Sequence, residues 1–157
     1  MNYRVVELLL EDGSSPYADW FTTLDPVAAA KVTVAKVRIT QGNLSGEVTM
    51  ALTRDFKETV VSRVKSDPAF AQALLDEALT LLLNGDPQTA KLILRDLVNA
   101  TIGFEVLAGD LHKPSKSLHR MLSRAGNPTM ENLSAILVAI KKTLRVDIRA
   151  VVSPTAA

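Results

Sequence analysis

The sequence predicts a mainly α fold with a short strand near each end of the chain. From residue 53 onward, apolar residues recur almost without interruption at the three- and four-residue spacing of helices. Asp-Pro pairs at Asp25, Asp67 and Asp86 each supply a capping carboxylate and a proline suited to the first turn of a helix. Residues 3–12 instead begin with β-branched valines, and residues 145–153 alternate apolar and polar side chains for most of their length, so we interpret both segments as strands.

The first 46 residues predict a strand followed by two helices. The strand ends in the turn signal Asp-Gly-Ser-Ser-Pro. The first helix is predicted by apolar residues at helical spacing, and we expect the side chains of Trp20 and Phe21 in the core. The residues at this spacing are Tyr17, Trp20, Phe21 and Leu24. The second helix starts at Asp25-Pro26 and runs through about Thr40. Residues 41–49 contain two glycines and little periodicity, which predicts a boundary between a segment 1–46 and a domain 47–157.

The sequence pattern of the domain 47–157 predicts a succession of helices. Thr53 is the expected N-cap of the first helix. The next two begin at the Asp-Pro pairs of Asp67 and Asp86, and glycines mark their ends. The last long helix begins at a Thr129 cap and carries an apolar stripe: Leu133, Ile136, Leu137 and Ile140.

Two short helices, residues 104–111 and 114–122, are predicted between the last two long ones, separated only by His112 and Lys113. Their apolar residues are spaced to face one another across the turn: Leu107, Ala108 and Leu111 on the first, and Leu118, Met121 and Leu122 on the second. A side chain as small as alanine lets two helices cross closely. The pattern therefore predicts a helix-turn-helix over residues 104–123.

The second short helix has apolar side chains only where it rests on the first, and its other side carries hydrogen-bond donors. A nine-residue helix is about 13 Å long, comparable with the roughly 12 Å width of the DNA major groove. Arginine can donate two hydrogen bonds to one guanine, and serine, lysine and histidine can reach bases or phosphates. We expect base readout from Ser115, Lys116, His119 and Arg120, either base or phosphate contact from Ser117, and phosphate contact from Lys113, Arg124 and Asn127. A solvated face on an ordinary helical hairpin is the alternative.

Charge is distributed unevenly along the chain, although the net charge of the whole is only +1. Residues 1–87 contain 8 basic and 12 acidic side chains, whereas residues 88–157 contain 10 basic and 5 acidic ones. An excess of cations on one part of a chain favours a polyanionic partner such as double-stranded DNA, and a solvated basic face is the common alternative.

The composition excludes several classes of protein. With 157 residues, 47% of them hydrophobic and 22% charged, the chain is long enough and apolar enough to bury a sizeable core. It contains no cysteine, which removes disulfides, thiolate metal sites and cysteine nucleophiles and agrees with a reducing compartment. No apolar run approaches the roughly 20 residues that span a bilayer, and the N-terminus does not resemble a signal peptide. We expect a cytoplasmic protein.

The stretch "ILRDLVNATIGFEVLAGDLHKPSKSLHRMLSRAGNPTMENLSAILVAIKKTL" resembles the lambda repressor-like helix-turn-helix of antidote proteins from RelE-type toxin-antitoxin modules. The resemblance extends upstream to Met50, so that it covers about two thirds of the chain, and "PSKSLHRMLS" followed by "GNPTMENL" is its most specific part. His112 stands at the turn position where the family usually has glycine. Histidine tolerates a left-handed backbone better than most residues, so the motif should persist with a small strain.

Residues 17–43, "YADWFTTLDPVAAAKVTVAKVRITQGN", are similar to the N-terminal helical hairpin of RelE-like toxins, which are messenger RNA endonucleases. The matching positions are Trp20, Leu24, Asp25, Gly42 and Asn43. The strands and basic residues that cut RNA in such a toxin have no counterpart before Met50. The resemblances together imply a truncated toxin fused to a complete antidote.

These observations predict a sequence-specific DNA-binding antitoxin-like regulator, a homodimer that represses its own toxin-antitoxin operon at an inverted repeat. The alternatives are a helical module that neutralises a RelE-like toxin without binding DNA, or a residual ribonuclease toxin, which the missing strands argue against. His112 and His119 have no third ligand at metal-binding spacing, and no cofactor loop or catalytic grouping is recognisable. We therefore expect no enzyme activity, no metal and no cofactor.

We also expect the two predicted strands to pair with each other. An apolar strand with free backbone donors and acceptors needs a partner. We therefore expect residues 3–11 to pair with residues 145–153, in the same chain or in a second subunit, with the helix around Trp20 covering one face.

Overall fold

A computed structural model of the chain describes residues 4–41 and 53–156. It is mainly helical and contains one two-stranded antiparallel sheet in the part that it describes. In chain order the elements are β1 (Val6–Leu8), α1 (Pro16–Thr23), α2 (Pro26–Gln41), β2 (Thr53–Asp55), α3 (Phe56–Ser66), α4 (Pro68–Leu83), α5 (Pro87–Ala100), α6 (Phe104–Leu111), α7 (Ser115–Met121) and α8 (Met130–Leu144). None of the described helices is long and apolar enough to cross a membrane.

The capping residues predicted from the Asp-Pro pairs are confirmed. Asp67 and Asp86 accept hydrogen bonds from backbone amides in the first turns of α4 and α5, each at 3.1 Å. Asp25 does the same for α2 at 3.0 Å, and Thr129 caps α8 at 3.2 Å. Each cap satisfies an amide that the helix itself leaves without a partner, so these side chains fix where the helices begin.

The predicted cap at Thr53 is wrong. Thr53 lies in β2, and Asp55 caps α3 by accepting a hydrogen bond from the Lys57 amide at 3.0 Å. Asp55 ends the strand and starts the helix without any intervening residue. The pairing of β2 with β1 therefore moves the start of α3 two residues beyond the position that capping preference alone suggested.

The core is built around α4, which packs against α2, α3 and α5. Phe21 of α1 is fully buried and meets Phe70 of α4 edge to face, with ring centroids 5.7 Å apart. Trp20, which we also expected in the core, is 48% exposed. Residues 4–41 thus share one core with the helices that follow. The predicted boundary at residues 41–49 lies mostly outside the described residues and stays a prediction.

Within the chain, the predicted pairing of residues 3–11 with residues 145–153 is wrong, and the pairing with a second subunit stays a prediction. β1 pairs with β2 in an antiparallel register that places Val6 opposite Asp55 and Leu8 opposite Thr53. The C-terminal strand is wrong as well, since α8 ends at a left-handed Arg145 and residues 147–156 form no strand within the described chain. The nearer partner supplies the backbone hydrogen bonds of β1, so the C-terminal segment is left without one.

A buried carboxylate fixes this pairing. The side chain of Glu7 is fully buried and accepts hydrogen bonds from Ser15 Oγ at 2.5 Å, from Thr59 Oγ1 and from Arg54 Nη2 at 3.2 Å. Burial by itself raises the pKa of the Glu7 carboxyl, but the three hydrogen-bond donors outweigh it and hold the pKa below its usual value. One side chain therefore joins β1, the start of α1, β2 and α3.

A buried arginine makes a second connection between α1 and α3. Arg63 lies over the rings of both Phe21 and Phe70, with its guanidinium carbon 5.1 and 5.0 Å from the two ring centroids. It donates hydrogen bonds to the carbonyl oxygens of Phe21 and Leu24, and it pairs with Asp67 at 3.3 Å. These carbonyls belong to the last turn of α1 and its cap, where a helix supplies few amide donors of its own, and only the Phe21 carbonyl also accepts from a backbone amide, that of Leu24 at 3.3 Å.

Replacing Glu7 with glutamine should lower the free energy of unfolding at pH 7 by about 1–3 kcal/mol, because the hydrogen bonds lose their charged acceptor. The folded pKa lies below the unfolded value near 4.5, so the carboxylate contributes fully above that pH and its contribution is lost as the pH falls through the folded pKa. The difference between Glu7→Gln and the parent should therefore shrink in acid. Urea unfolding over a pH series measures it.

The matched control is Glu11→Gln, because Glu11 is exposed on the same segment and undergoes the same chemical change. Its free energy of unfolding should stay within about 0.5 kcal/mol of the parent's. Equal stability of the Glu7 variant and the parent at pH 7 would show that the network does not hold the sheet.

Candidate nucleic-acid interface

Helices α6 and α7 are joined by a tight turn at His112. Its backbone is left-handed, with φ 50° and ψ 43°. The His112 amide donates to the Gly109 carbonyl at 3.3 Å, and the Lys113 amide donates to the Ala108 carbonyl at 3.0 Å. These bonds close the last turn of α6 in the way that a glycine commonly does at this position. The expectation that histidine occupies a left-handed turn is confirmed.

The inner faces of the two helices are apolar, as predicted. Leu107 of α6 and Leu118 of α7 are fully buried, together with Leu122 just after α7. Ala108, Leu111 and Met121 are partly buried against the same core. Ile136 and Ile140 of α8 are fully buried in the same cluster. Helix α7 is therefore held on a packed base, and its orientation is set by the leucines beneath it.

The outer face of α7 carries two exposed cations, Lys116 and Arg120. They are four residues apart, so they lie one above the other on the same face of the helix. Neither side chain forms an ion pair or a hydrogen bond with any other described residue. Lys113, Ser115 and Ser117 are half-buried around them. The arrangement leaves a basic face available to a ligand.

His119 has a structural role that the sequence did not reveal. Its ring stacks on Phe104 at the start of α6, with centroids 3.7 Å apart and planes inclined by 21°. Phe104 is itself buried, and His119 is half-buried. One face of the imidazole therefore holds α7 against α6, so that His119 is less open to a ligand than Lys116 and Arg120.

The loop after α7 is held in place by a buried lysine of α5. Lys91 is buried, and its ammonium group donates to the carbonyl oxygens of Arg124, at 3.3 Å, and of Gly126. Burial lowers the pKa of this lysine below its usual value. The two carbonyls gain a charged donor, which makes these hydrogen bonds stronger than neutral ones. Lys91 thus fixes the loop that carries Arg124 and Asn127.

Arg124 and Asn127, the predicted phosphate contacts in this loop, are both exposed. The Arg124 guanidinium also reaches the Gln41 carbonyl at the end of α2, at 3.5 Å. Asn127 lines an open cleft of about 290 Å³ beside Arg120, with Thr129 and Asn132 on its other side. The loop and α7 therefore present their polar groups on neighbouring surfaces.

Gly126 is required where the loop passes closest to α7. A Cβ added at this position would overlap the carbonyl oxygens of Arg120 and Met121, because the backbones approach within the space that a methyl group needs. Those oxygens belong to the last turn of α7, so they cannot shift without altering the helix. The glycine lets the chain fold back beneath Arg120.

Charge is concentrated on this part of the surface. Residues 111–130 contain four basic side chains and no acidic one. The neighbouring helix α6 carries the exposed acids Glu105 and Asp110, so the cations are confined to α7 and the segments beside it. Residues 111–130 therefore form a positively charged segment that attracts polyanions.

Three residues of this surface were not identified from the sequence: Lys91, Phe104 and Gly126. Lys91 precedes Leu94 by three residues and Val98 by seven, so it is a charged residue on an apolar face of the helix. This pattern indicates a buried side chain that needs hydrogen-bond partners. Gly126 precedes Asn-Pro, which indicates a turn but not the close approach of two backbones. The stacking of Phe104 on His119 has no sequence signal that we can identify.

Comparisons with known proteins return no match. The chain matches no protein-family model, no curated protein and no solved structure. The described residues also contain no cluster of three His, Asp or Glu side chains that could hold a metal ion. The geometry and charge of α7 and its flanking loop are therefore the features of the molecule that bear on its function.

Replacing Gly126 with alanine should destabilise the protein by about 1–3 kcal/mol, because the added methyl group overlaps backbone atoms that cannot move freely. Gly109→Ala is the matched control, since a Cβ there meets nothing within 4 Å. Gly109 lies within α6, where alanine is a better helix former than glycine. Gly109→Ala should therefore stabilise the protein by about 0.5–1 kcal/mol. Thermal unfolding of both variants measures the contrast. A Gly126 variant as stable as the parent would show that the loop does not need its close approach to α7.

Proposed function

We propose that the protein is a sequence-specific DNA-binding regulator of the antitoxin type, which represses its own operon. The observation that carries the proposal is the division of α7 into two faces. Leu118 and Leu122 are fully buried at its base, whereas Lys116 and Arg120 point outward without partners among the described residues. Helices α6 and α7 then act as a helix-turn-helix, with α7 as the recognition helix.

The recognition helix has the dimensions that the major groove requires. Its seven residues span about 10 Å, and the groove is roughly 12 Å wide. Arg120 can donate two parallel hydrogen bonds to guanine O6 and N7, and Lys116 can donate to an acceptor one helical turn away. Ser115 and Ser117 can reach a base edge or a phosphate from the flanks of the same face. His119 contributes chiefly by positioning the helix on Phe104.

The flanks of the helix supply contacts to the DNA backbone. Lys113 precedes α7, and Arg124 and Asn127 follow it in the loop that Lys91 holds. Such contacts set the register of a protein on the duplex and make its affinity fall with increasing salt. The four cations of residues 111–130 supply most of the net charge of +5, ten basic minus five acidic side chains, that residues 88–157 carry.

The resemblance of residues 50–144 to antidote proteins supports autoregulation as the biological role. Regulators of this type bind as two-fold dimers, whose recognition helices enter successive major grooves about 34 Å apart. The operator is then an inverted repeat. A basic face that is merely solvated, the alternative to this proposal, binds neither a particular sequence nor an inverted repeat.

A gel-shift titration separates these interpretations. The probe is the DNA upstream of the protein's own gene, and the competitor is unrelated DNA of equal length and base composition. We expect the upstream DNA to be bound at least about a thousandfold more tightly, because specific and non-specific affinities differ by about 10³–10⁷ for such proteins. Equal affinity for the two DNAs would leave only non-specific electrostatic attraction and would overturn the proposal.

Arg120→Ala should weaken binding to the specific DNA by about 1–3 kcal/mol, since one bidentate contact to guanine is lost, and should relax the preference at one base pair. The fold should be unaffected because the side chain is exposed. Arg4→Ala is the matched control: its side chain is 72% exposed and lies on the β1 segment, far along the chain from α7. Quantitative footprinting of both variants tests the assignment. An unchanged affinity and site preference for Arg120→Ala would remove this arginine from the recognition surface.

A further inference from the structure

The chain beyond α8 is apolar, exposed and unpaired. Val151 and Val152 are 85% and 96% exposed, and Ile148 is 38% exposed. Backbone hydrogen bonds that involve residues 147–152 are absent from the described structure. A β-branched segment with free amides and carbonyls is a template for another strand. The nearest strand, β1, is already paired with β2 along one of its edges.

The start of this segment is held rigidly. Arg145 ends α8 in a left-handed conformation, and the Val146 amide donates to the Lys141 carbonyl at 3.1 Å. The Val146 side chain packs against the core. The Lys141 ammonium also pairs with the Asp147 carboxylate at 2.8 Å, although this carboxylate remains 77% exposed. The chain therefore leaves the domain in a fixed direction, with its next amides unused.

We propose that residues 146–150 pair with the same residues of a second copy of the chain, as antiparallel strands related by a two-fold axis at Ile148. This register places each Asp147 opposite Arg149 of the other copy. It also places Val146 opposite Ala150, and Ile148 opposite itself. Both faces of the resulting ribbon are then self-complementary, with ion pairs on one face and apolar pairs on the other.

Other registers do not share this complementarity. An axis at Asp147 or at Arg149 puts like charges directly opposite each other, which destabilises a pair of strands. A shift by one residue places the apolar side chains of one copy on the same face as the charged side chains of the other. An axis at Ala150 keeps the faces separate but leaves Asp147 opposite Ser153, without an ion pair. The register centred on Ile148 is therefore the one that the sequence favours.

The backbone bonds already present agree with that register. Antiparallel strands alternate between pairs that exchange two hydrogen bonds and pairs that exchange none. The Val146 amide is committed to the Lys141 carbonyl, so Val146 and Ala150 must form a pair without hydrogen bonds. Asp147 and Arg149 then form the hydrogen-bonded pair, and both of their amides are free. Ile148 falls in a pair without hydrogen bonds, in which the two side chains lie closest together.

The ribbon is small, so the dimer should depend on concentration. Stable interfaces bury about 1,200–2,000 Å² in total, and two five-residue strands bury less. The inference concerns assembly alone and does not depend on the proposed function. Its tests therefore use the full chain without DNA, and a negative result in them does not decide the outcome of the gel-shift titration.

Disulfide trapping tests the position of the axis. The protein has no cysteine, so each substitution introduces the only thiol. Cα atoms in a pair without hydrogen bonds are about 4.5 Å apart, within the range of about 4.4–6.8 Å that disulfides require. Ile148→Cys should therefore form a covalent dimer under mild oxidation. Val151→Cys is the control, because the axis separates the two copies of this more exposed residue by six positions along the ribbon.

The outcomes of the trapping experiment are distinct. Rapid crosslinking of the Ile148 variant and little crosslinking of the Val151 variant support the register. Equal crosslinking of both, or none of the Ile148 variant, would overturn it, because a two-fold ribbon cannot bring residues 151 together and must bring residues 148 together.

A charge exchange tests the pairs beside the axis by sedimentation equilibrium. Arg149→Asp places two carboxylates opposite each other on both sides of the axis, and it should raise the dimer dissociation constant by about tenfold or more. The double variant Asp147→Arg/Arg149→Asp restores opposite charges across the axis with an unchanged net charge but loses the Lys141–Asp147 ion pair of each copy, so it should recover part of the lost dimerisation. Circular dichroism checks the fold of both. Unchanged dimerisation of the single variant, or no recovery in the double variant, would refute the ion pairs and with them the register.

Discussion

The buried carboxylate of Glu7 is the interaction on which the arrangement of the first half of the protein depends. It gathers hydroxyl and guanidinium donors from α1, β2 and α3 around one acceptor, so that a strand of only three residues remains paired. A two-stranded ribbon of this length is not stable by itself in water. The sheet exists because the carboxylate and the helices around it hold both strands, and Arg63 extends the same connection to the end of α1.

The candidate interface, in the second half of the chain, also depends on a buried charged side chain. Lys91 reaches from the apolar side of α5 to two carbonyls of the loop after α7, and Gly126 lets that loop pass directly beneath the helix. Helix α7 is therefore supported from three directions: by the leucines below it, by the stack of His119 on Phe104, and by the loop at its end. Lys116 and Arg120 are presented on a rigid base, which lowers the conformational entropy lost when a ligand binds.

Local signals in the sequence predicted most of the helices, and non-local contacts account for the failures. The caps at Asp67, Asp86 and Thr129 were predictable because a capping side chain acts within four residues. The cap of α3 at Asp55 and the pairing of β1 were not, since both depend on a partner some 47 residues away. The faces of α7 followed from helical periodicity. The buried bonds of Lys91 did not, because their acceptors lie in a loop whose path periodicity does not determine.

The sharing of one core between residues 4–41 and the later helices has a consequence for how the chain can change over generations. Helix α2 covers part of α4, and Phe21 fills a place against Phe70. Loss of this segment would open α4 to water, at a cost that a protein of this size cannot easily absorb. Substitutions that loosen the N-terminal segment therefore also destabilise α4 and the helices packed on it. Selection for the stability of the later helices consequently acts on the N-terminal segment as well.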